Sequence, residues 1–312
     1  MTIVKWGCAI AALGLALAAS AAAAEDTLKL AVGQRGNWDT SISEVGQLAG
    51  IFKKHGLKLE IVYTQGAGET QQAVISGSVD LGIAAGVMGV LSAYSKGAPV
   101  RIIGAETTGA NDLYWYVKAD SPLKSLKDAT EKNTIAYSTS GSSTNNIVVA
   151  FVQELGLKAT PTKTGGPPAT LTAVMSGQID IGWAAPPFGL QEMKEGKIRM
   201  IARGSDVPSL RGQTVRTIIV NADALKNKRD AIMRFVAGYR EAVDWMYSDP
   251  KAFEMYAAKI KRPVELVKDS AMRFQPKETM QTEKFADLEG AAAAVQVRRQ
   301  GRVQVGAGPA PR

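Results

Sequence analysis

The chain has 312 residues, among them 37 Lys or Arg, 29 Asp or Glu, and only one His and one Cys. The only histidine, His55, sits in a helix C-terminal context beside Lys54, which argues against a His-dependent catalytic triad, and one histidine with one cysteine cannot assemble a zinc centre. The formal charge of +8 sits largely at the ends: with Lys5 and the four Arg of residues 291–312 set aside, 32 basic residues face 29 acids, and a residual +3 does not point to nucleic acid.

Residues 1–24 read as a cleavable secretory signal. Lys5 supplies the positive start, Gly7 to Ala19 is apolar, and Ala22-Ala23-Ala24 offers the small residues of a cleavage site before Glu25. A membrane span needs about 20 apolar residues. Cys8 precedes the apolar run, so a lipoprotein anchor does not fit. A periplasmic protein is expected, with no cysteine after cleavage and therefore no disulfides. Its length allows a core without such staples.

The body alternates strand and helix. TLKLAVG (27–33) alternates as a strand and runs into the polar loop QRGNWDTS; Ile42, Val45, Leu48, Ala49 and Phe52 then recur at helical spacing. Lys53 and Lys54 before His55-Gly56 suit a helix C-terminus. LKLEIVY (57–63) is the second strand. VISGSVDLGIAA (74–85) closes a helix at Ser-Gly and enters another strand, and VRIIGAE (100–106) follows as a further one. The plan then starts again: strand NTIAYS (133–138), a Ser/Thr/Gly loop, a helix with Ile147, Val148, Phe151, Val152 and Leu155, and VMSGQIDIGWAA (174–185), which matches 74–85 at seven of twelve positions. IRMIA (198–202) is another strand. A 100-residue period is too long for a solenoid and predicts two similar α/β lobes with largely parallel sheets. LYWYVK (113–118) and TVRTIIVN (214–221) read as crossover strands of a two-segment hinge. Ile232, Phe235, Val236, Tyr239, Ala242, Val243 and Met246 form one apolar helix face, and Asp249-Pro250 starts another helix. The expected organisation is signal peptide 1–24, lobe 1 from 25–112 plus 218–290 with the C-terminal helices, lobe 2 from 113–217 with the crossover strands, and a disordered tail 291–312.

GIFKKHGLKLEIVY (50–63), AVISGSVDLGIAAG (73–86), SKGAPVRIIG (95–104), SLKDATEKNTIAYSTSGSST (125–144), TAVMSGQIDIGWAAPP (172–187) and NADALKNKRDAIMRFVAGYREAVDWM (221–246) stand in order along the chain. This ordered set resembles the periplasmic solute-binding proteins of ABC transporters, in the sulfonate-, taurine-, nitrate- and thiamine-precursor-binding (SsuA/THI5-like, NMT1-like) branch. The resemblance implies a type II periplasmic-binding-protein fold: two Rossmann-like lobes joined by two crossover strands around a ligand cleft. It further implies cleft closure on a small organic anion, sulfonate- or taurine-like, and delivery to the membrane permease of an ABC importer. A monomer without cofactor, metal or catalytic residues is expected. Aromatic carboxylates, nitrate and pyrimidines are alternative ligands, and a receptor for a sensor system is the alternative role. Enzymes making thiamine precursors share the fold, but with histidine and cysteine chemistry missing here.

Ligands of open α/β sheets sit at the carboxyl ends of strands. That rule selects the loops Gln34-Arg35-Gly36-Asn37-Trp38, Gln65-Gly66-Ala67-Gly68 and Ala84-Ala85-Gly86 on lobe 1, with Gln34, Arg35, Trp38, Gln65, Gly66 and Ala85 as the candidate contacts. On lobe 2 it selects Ser140, Gly141, Ser142 and Ser143, with Trp183 and Pro186. The SGSSTN run (140–145) opens a helix, where unpaired N–H groups and hydroxyls favour an anion; one hydroxyl capping its own helix is the competing reading. Sulfonate binders have their anion site at the matching segment. Arg35 is expected to face that helix start from the other lobe and to fork onto the anion, unless it is simply exposed. Trp38 and Trp183 are candidate walls or packing residues. Asp80 and Asp180 recur in both lobes and are expected to hold turns, not cations.

Overall fold

The computed structural model describes residues 25–287 and 289–292. The expected signal segment, and all but two residues of the expected tail, lie outside these. Two sheets carry the fold. In the first lobe β1 (Asp26–Gly33), β2 (Leu57–Thr64), β3 (Leu81–Gly86), β4 (Val100–Thr108) and a strand from much later in the chain, β10 (Thr214–Asn221), lie in the order β2-β1-β3-β10-β4. The second lobe holds β5 (Tyr114–Lys118), β6 (Thr134–Tyr137), β7 (Thr160–Lys163), β8 (Gly182–Ala184) and β9 (Ile198–Arg203). Here β8-β5-β9 form one ladder and β6-β7 another, joined by a parallel bridge between Ile135 and Ile181. The combined order β7-β6-β8-β5-β9 repeats that of the first lobe, and each sheet has one antiparallel strand, β10 and β5.

Those antiparallel strands correct one expectation. Segments 113–118 and 214–221 are not connectors lying between the lobes. Every residue of β10 is buried, and β10 pairs with β3 on one side and β4 on the other. Buried backbone polar groups need partners, so these apolar runs become central strands. The chain crosses just before each of them, through residues 109–113 and 204–213. Residues 214–217 therefore belong to the first sheet, not to lobe 2.

Helices cover the sheets: α1 (Trp38–Leu48), α2 (Ile51–Lys54), α3 (Ala67–Ile75) and α4 (Val87–Tyr94) in the first lobe, and α5 (Ser143–Leu155), α6 (Pro167–Met175) and α7 (Leu190–Lys194) in the second. The helix expected from Ile42 starts earlier, at Trp38 behind Asn37, and breaks at Gly50, whose φ of +80° is left-handed. After the second crossing come α8 (Ala222–Asn227), α9 (Arg229–Ser248), α10 (Pro250–Ile260) and α11 (Val264–Phe274). The apolar face of α9 packs with α10 and α11 into the first core, beside β1, β2 and α1. Trp38 belongs to this core, stacked at 5.0 Å on Phe253 with Tyr247 and Tyr256 edge-on. The second lobe has its own core around Trp115, Phe151 and Ile181.

The duplicated segments fold alike. α3 and α6 each end at Ser-Gly, with Gly77 and Gly177 at φ of +74° and +77°. Asp80 accepts the N–H of Lys29 on β1 at 2.8 Å and pairs with Lys228; Asp180 accepts the N–H of Thr134 on β6 at 2.8 Å. Both carboxylates are structural, but they tie the turn to the neighbouring strand and not to the turn's own N–H groups. Ala291 is fully buried beside Val87 and Met88, so packed chain extends past the expected limit at 290.

Candidate ligand-binding site

The carboxyl ends of both sheets face each other across the cleft. At the end of β1 the chain turns through Gln34, a non-glycine residue with φ of +68°, and enters α1. The start of α3 and the start of α5 meet α1 at the same place. A cavity of about 20 Å³ lies there, room for one water-sized group. The first lobe lines it with Gly33, Gln34, Asn37, Asp39 and Thr40 around the start of α1, Ala67 at the start of α3, Ala84 on β3 and Arg216 on β10. Leu113 comes from the crossing, and the second lobe adds Ser138, Ser142, Ser143 and Thr144 at the start of α5 and Trp183 on β8. Three helices of nine to thirteen residues thus begin at one point. Their unpaired N–H groups and dipole ends favour negative charge.

The lobes are closed on one another. Gly68 donates its N–H to Thr139 Oγ1 at 2.9 Å, and Gln71 Nε2 donates to Gly141 O at 3.3 Å. Glycines make this approach possible: a Cβ at Gly86 would stand 2.6 Å from Gly141 O, and one at Gly66 would stand 2.7 Å from Thr139 Oγ1.

Around the start of α5 the hydroxyls form a network. Ser142 Oγ accepts from the Asn145 N–H at 3.1 Å and shares a hydrogen bond with Thr144 Oγ1 at 2.9 Å. The Ser138 N–H also reaches Thr144 Oγ1, at 2.9 Å. Ser142 therefore caps its helix and lines the cavity as well.

Arg216 supplies the buried cation. Nη2 donates to Asp112 at 2.7 Å, and Nη1 lies 3.3 Å from Asp39 Oδ2 without hydrogen-bond geometry. Burial opposes the Arg216 charge, but Asp112 and Asp39 outweigh it and raise its pKa further. Burial also pushes Asp112 up, against the pull of Arg216. Glu106 is fully buried; burial, with Asp39 adding to it, raises its pKa to about 8. Its Oε2 accepts the N–H of Ala84 at 2.5 Å and its Oε1 accepts Tyr239 OH at 3.1 Å. Ala84 has φ of +56°, a strained conformation that this hydrogen bond holds.

The structure brings Gln34, Ser142, Ser143 and Trp183 to the cavity wall. Gly66, Gly141 and the backbone of Ser140 belong to the lobe contact: Gly66 packs on Thr139, and Ser140 O lies against Gly68. Gln65 is exposed and reaches toward Gly165 across the cleft mouth. Ala85 is buried in β3, its carbonyl accepting from Thr217 Oγ1. Pro186 is buried at the cis Pro186-Pro187 bond, outside the cavity wall. Trp38 is a core residue and not a cleft wall. Trp183 does both jobs, lining the cavity while its Nε1 donates to Gly165 O at 3.2 Å. Arg35 does not face the start of α5. It is exposed and lies 4.3 Å over the Tyr63 ring, because the left-handed turn at Gln34 sends the next residue outward. Asn37 lies in a loop that the strand-end rule selects; the residues missed from sequence are Asp39, Thr40, Arg216 and Glu106. Arg216 had a signal, a charge inside the apolar run TVRTIIV, where a buried ion must be paired.

A second cavity of about 120 Å³ opens beside the cleft. Tyr116, Pro167, Pro168, Leu171 and Phe188 line it, with Glu192 and Arg262.

Residues 42–253 match the family model described as NMT1/THI5 like. Solved structures share the fold at low identity. The alkanesulfonate-binding protein SsuA from Xanthomonas axonopodis pv. citri, bound to MOPS, is 18% identical with a TM-score of 0.71, over 89% of this chain and 91% of that one. The Candida albicans CA3427 gene product, described as having the generic periplasmic binding protein fold, is 14% identical with a TM-score of 0.70, over 88% and 90%. The periplasmic nitrate-binding protein NrtA from Synechocystis PCC 6803 is 15% identical with a TM-score of 0.66, over 91% and 82%. No curated protein sequence matches. The two-lobed periplasmic-binding-protein fold and the span of the family match agree: this chain belongs to the NMT1/THI5-like family.

Proposed function

We propose that this protein is an extracytoplasmic solute-binding protein of an ABC importer. It captures a small organic anion, sulfonate- or taurine-like, by closing its lobes, and presents the closed form to a membrane permease. Residues 1–24 direct export and are removed before Glu25, and the mature protein is a periplasmic monomer. One observation carries the reading: three helix starts, five hydroxyl residues and the Arg216 guanidinium converge on one cavity between two lobes. Arg216, not Arg35, is the cation of this site. The cavity is far below the roughly 300–1,000 Å³ of ordinary ligand pockets, so the lobes part to admit the ligand and close again around it. Its size of about 20 Å³ favours a second reading, nitrate, as the smaller anion. A thermal-shift screen with ethanesulfonate, taurine, benzoate and nitrate decides between them. A ligand at 100 times its Kd adds about 2.7 kcal/mol of stability. Stabilisation by a sulfonate supports the first reading, stabilisation by nitrate alone supports the second, and none by any of these anions refutes both.

A further inference from the structure

The polar atoms of the cavity are not all suited to an anion. Asp39 is 2% exposed and lines the cavity, and its Oδ1 has no partner among the described residues. Asn37, 4% exposed, lines it too; its Nδ2 donates to Gln34 Oε1 at 3.2 Å, and its Oδ1 has no partner among the described residues. Buried polar atoms in native proteins are nearly always hydrogen-bonded, and each orphan calls for an explanation. Two such acceptors, one on the N-cap residue and one in the first turn of α1, line the same cavity and ask for a donor. The start of α5, on the second lobe's wall, asks for an acceptor, and so does Arg216 Nη1, which lies 3.3 Å from Asp39 Oδ2 and has no hydrogen-bond acceptor among the described residues.

Charge points the same way. Among the described residues Arg216 is the one buried cation beside Asp39 and Asp112. Glu106, with a pKa of about 8, is mostly protonated at neutral pH and adds little charge. Acid groups outnumber the guanidinium here, and any that is ionised repels an added anion more strongly at low dielectric than in water. A cationic group beside Asp39 offsets that repulsion.

We propose that the cleft selects a small zwitterion, with its anionic head at the start of α5 and Arg216 and a protonated amine bonded to Asn37 Oδ1 and Asp39 Oδ1. The inference rests on the anion-binding reading above and narrows its substrate class. Asn37 and Asp39 are then the specificity-determining pair, and Arg216 is held in place by Asp112.

The test is calorimetry on the purified protein with two ligand pairs that differ by an amine: taurine against ethanesulfonate, and β-alanine against propionate. The amino member of at least one pair is expected to bind 10-fold tighter or more. Asn37→Ala removes one acceptor while leaving α1 without a lost cap, since the Asn37 side chain makes no cap hydrogen bond. It is expected to shrink that preference several-fold, read as the ratio of amino- to deamino-member affinities. Asp39→Asn is expected to abolish the preference, with circular dichroism checking that the variant folds. Equal affinity within both pairs, or tighter binding of the deamino members, overturns the inference while leaving the anion reading intact. Binding by none of the four overturns the reading on which it rests. An Asn37→Ala variant that retains the full preference removes Asn37 from the site.

Discussion

Gly86→Ala tests whether the closed form is the one that holds ligand. Gly86 has φ of −65° and ψ of 117°, which alanine adopts without strain, so the first lobe should fold as before. The added methyl meets the second lobe: it would stand 2.6 Å from Gly141 O and 2.8 Å from Ser143 N, where ordinary contact begins at 3.4 Å. Relief requires the lobes to part by about 0.8 Å at this point. The hydrogen bond from Gly68 to Thr139, now 2.9 Å, and that from Gln71 to Gly141, now 3.3 Å, both then exceed a useful length. Losing two such bonds costs the closed state about 1–3 kcal/mol. If ligand is held only in that state, affinity should fall by about 5- to 150-fold, with little change in the melting temperature of the unliganded protein. Calorimetry with the best anion from the screen measures it. Parental affinity in a folded Gly86→Ala variant refutes the reasoning, because the lobes would not need this contact to bind.

Other perturbations address the frame and the buried charges. Gly77→Val and Gly177→Val force a β-branched residue to positive φ, at about 1–2 kcal/mol each, and should lower the melting temperature by a few degrees; unchanged melting contradicts the left-handed turns. Arg35→Ala should leave anion affinity unchanged, since Arg35 lies on Tyr63 outside the cavity; a 10-fold loss would restore it to the site. Glu106 has a folded pKa of about 8 against an ordinary 4.5, so the folded state holds the extra proton and stability falls as pH rises between those values. The slope from this group is at most about 1.4 kcal/mol per pH unit. Denaturant titrations of Glu106→Gln from pH 5 to 8 should show a shallower fall than the parent, and parallel curves would contradict a buried protonated carboxyl.

The sequence disclosed the frame better than the site. The repeat at 74–85 and 174–185 foretold two like lobes, because each copy spans a helix end, a left-handed glycine and a strand, all local requirements of the backbone. It foretold no antiparallel strand: β5 and β10 read as any apolar run, and their direction is fixed only by where the chain returns. Hydroxyls at the start of α5 were legible from SGSSTN. Arg35 was misread since an exposed guanidinium and a ligand-facing one have the same local sequence, and the turn at Gln34 decides which it is. Asp39 and Arg216 lie 177 positions apart and meet only through tertiary packing.

Closure around a small anion is the central claim, and inter-lobe distance reports it directly. Residues 25–312 contain no cysteine, so Lys96→Cys on the first lobe and Lys158→Cys on the second, both exposed, can carry a spin-label pair free of competing thiols. Pulsed electron–electron distance measurements should give a broad or longer distribution without ligand and a single shorter one with a saturating anion. Identical distributions at a ligand concentration shown by calorimetry to saturate the site would contradict cleft closure.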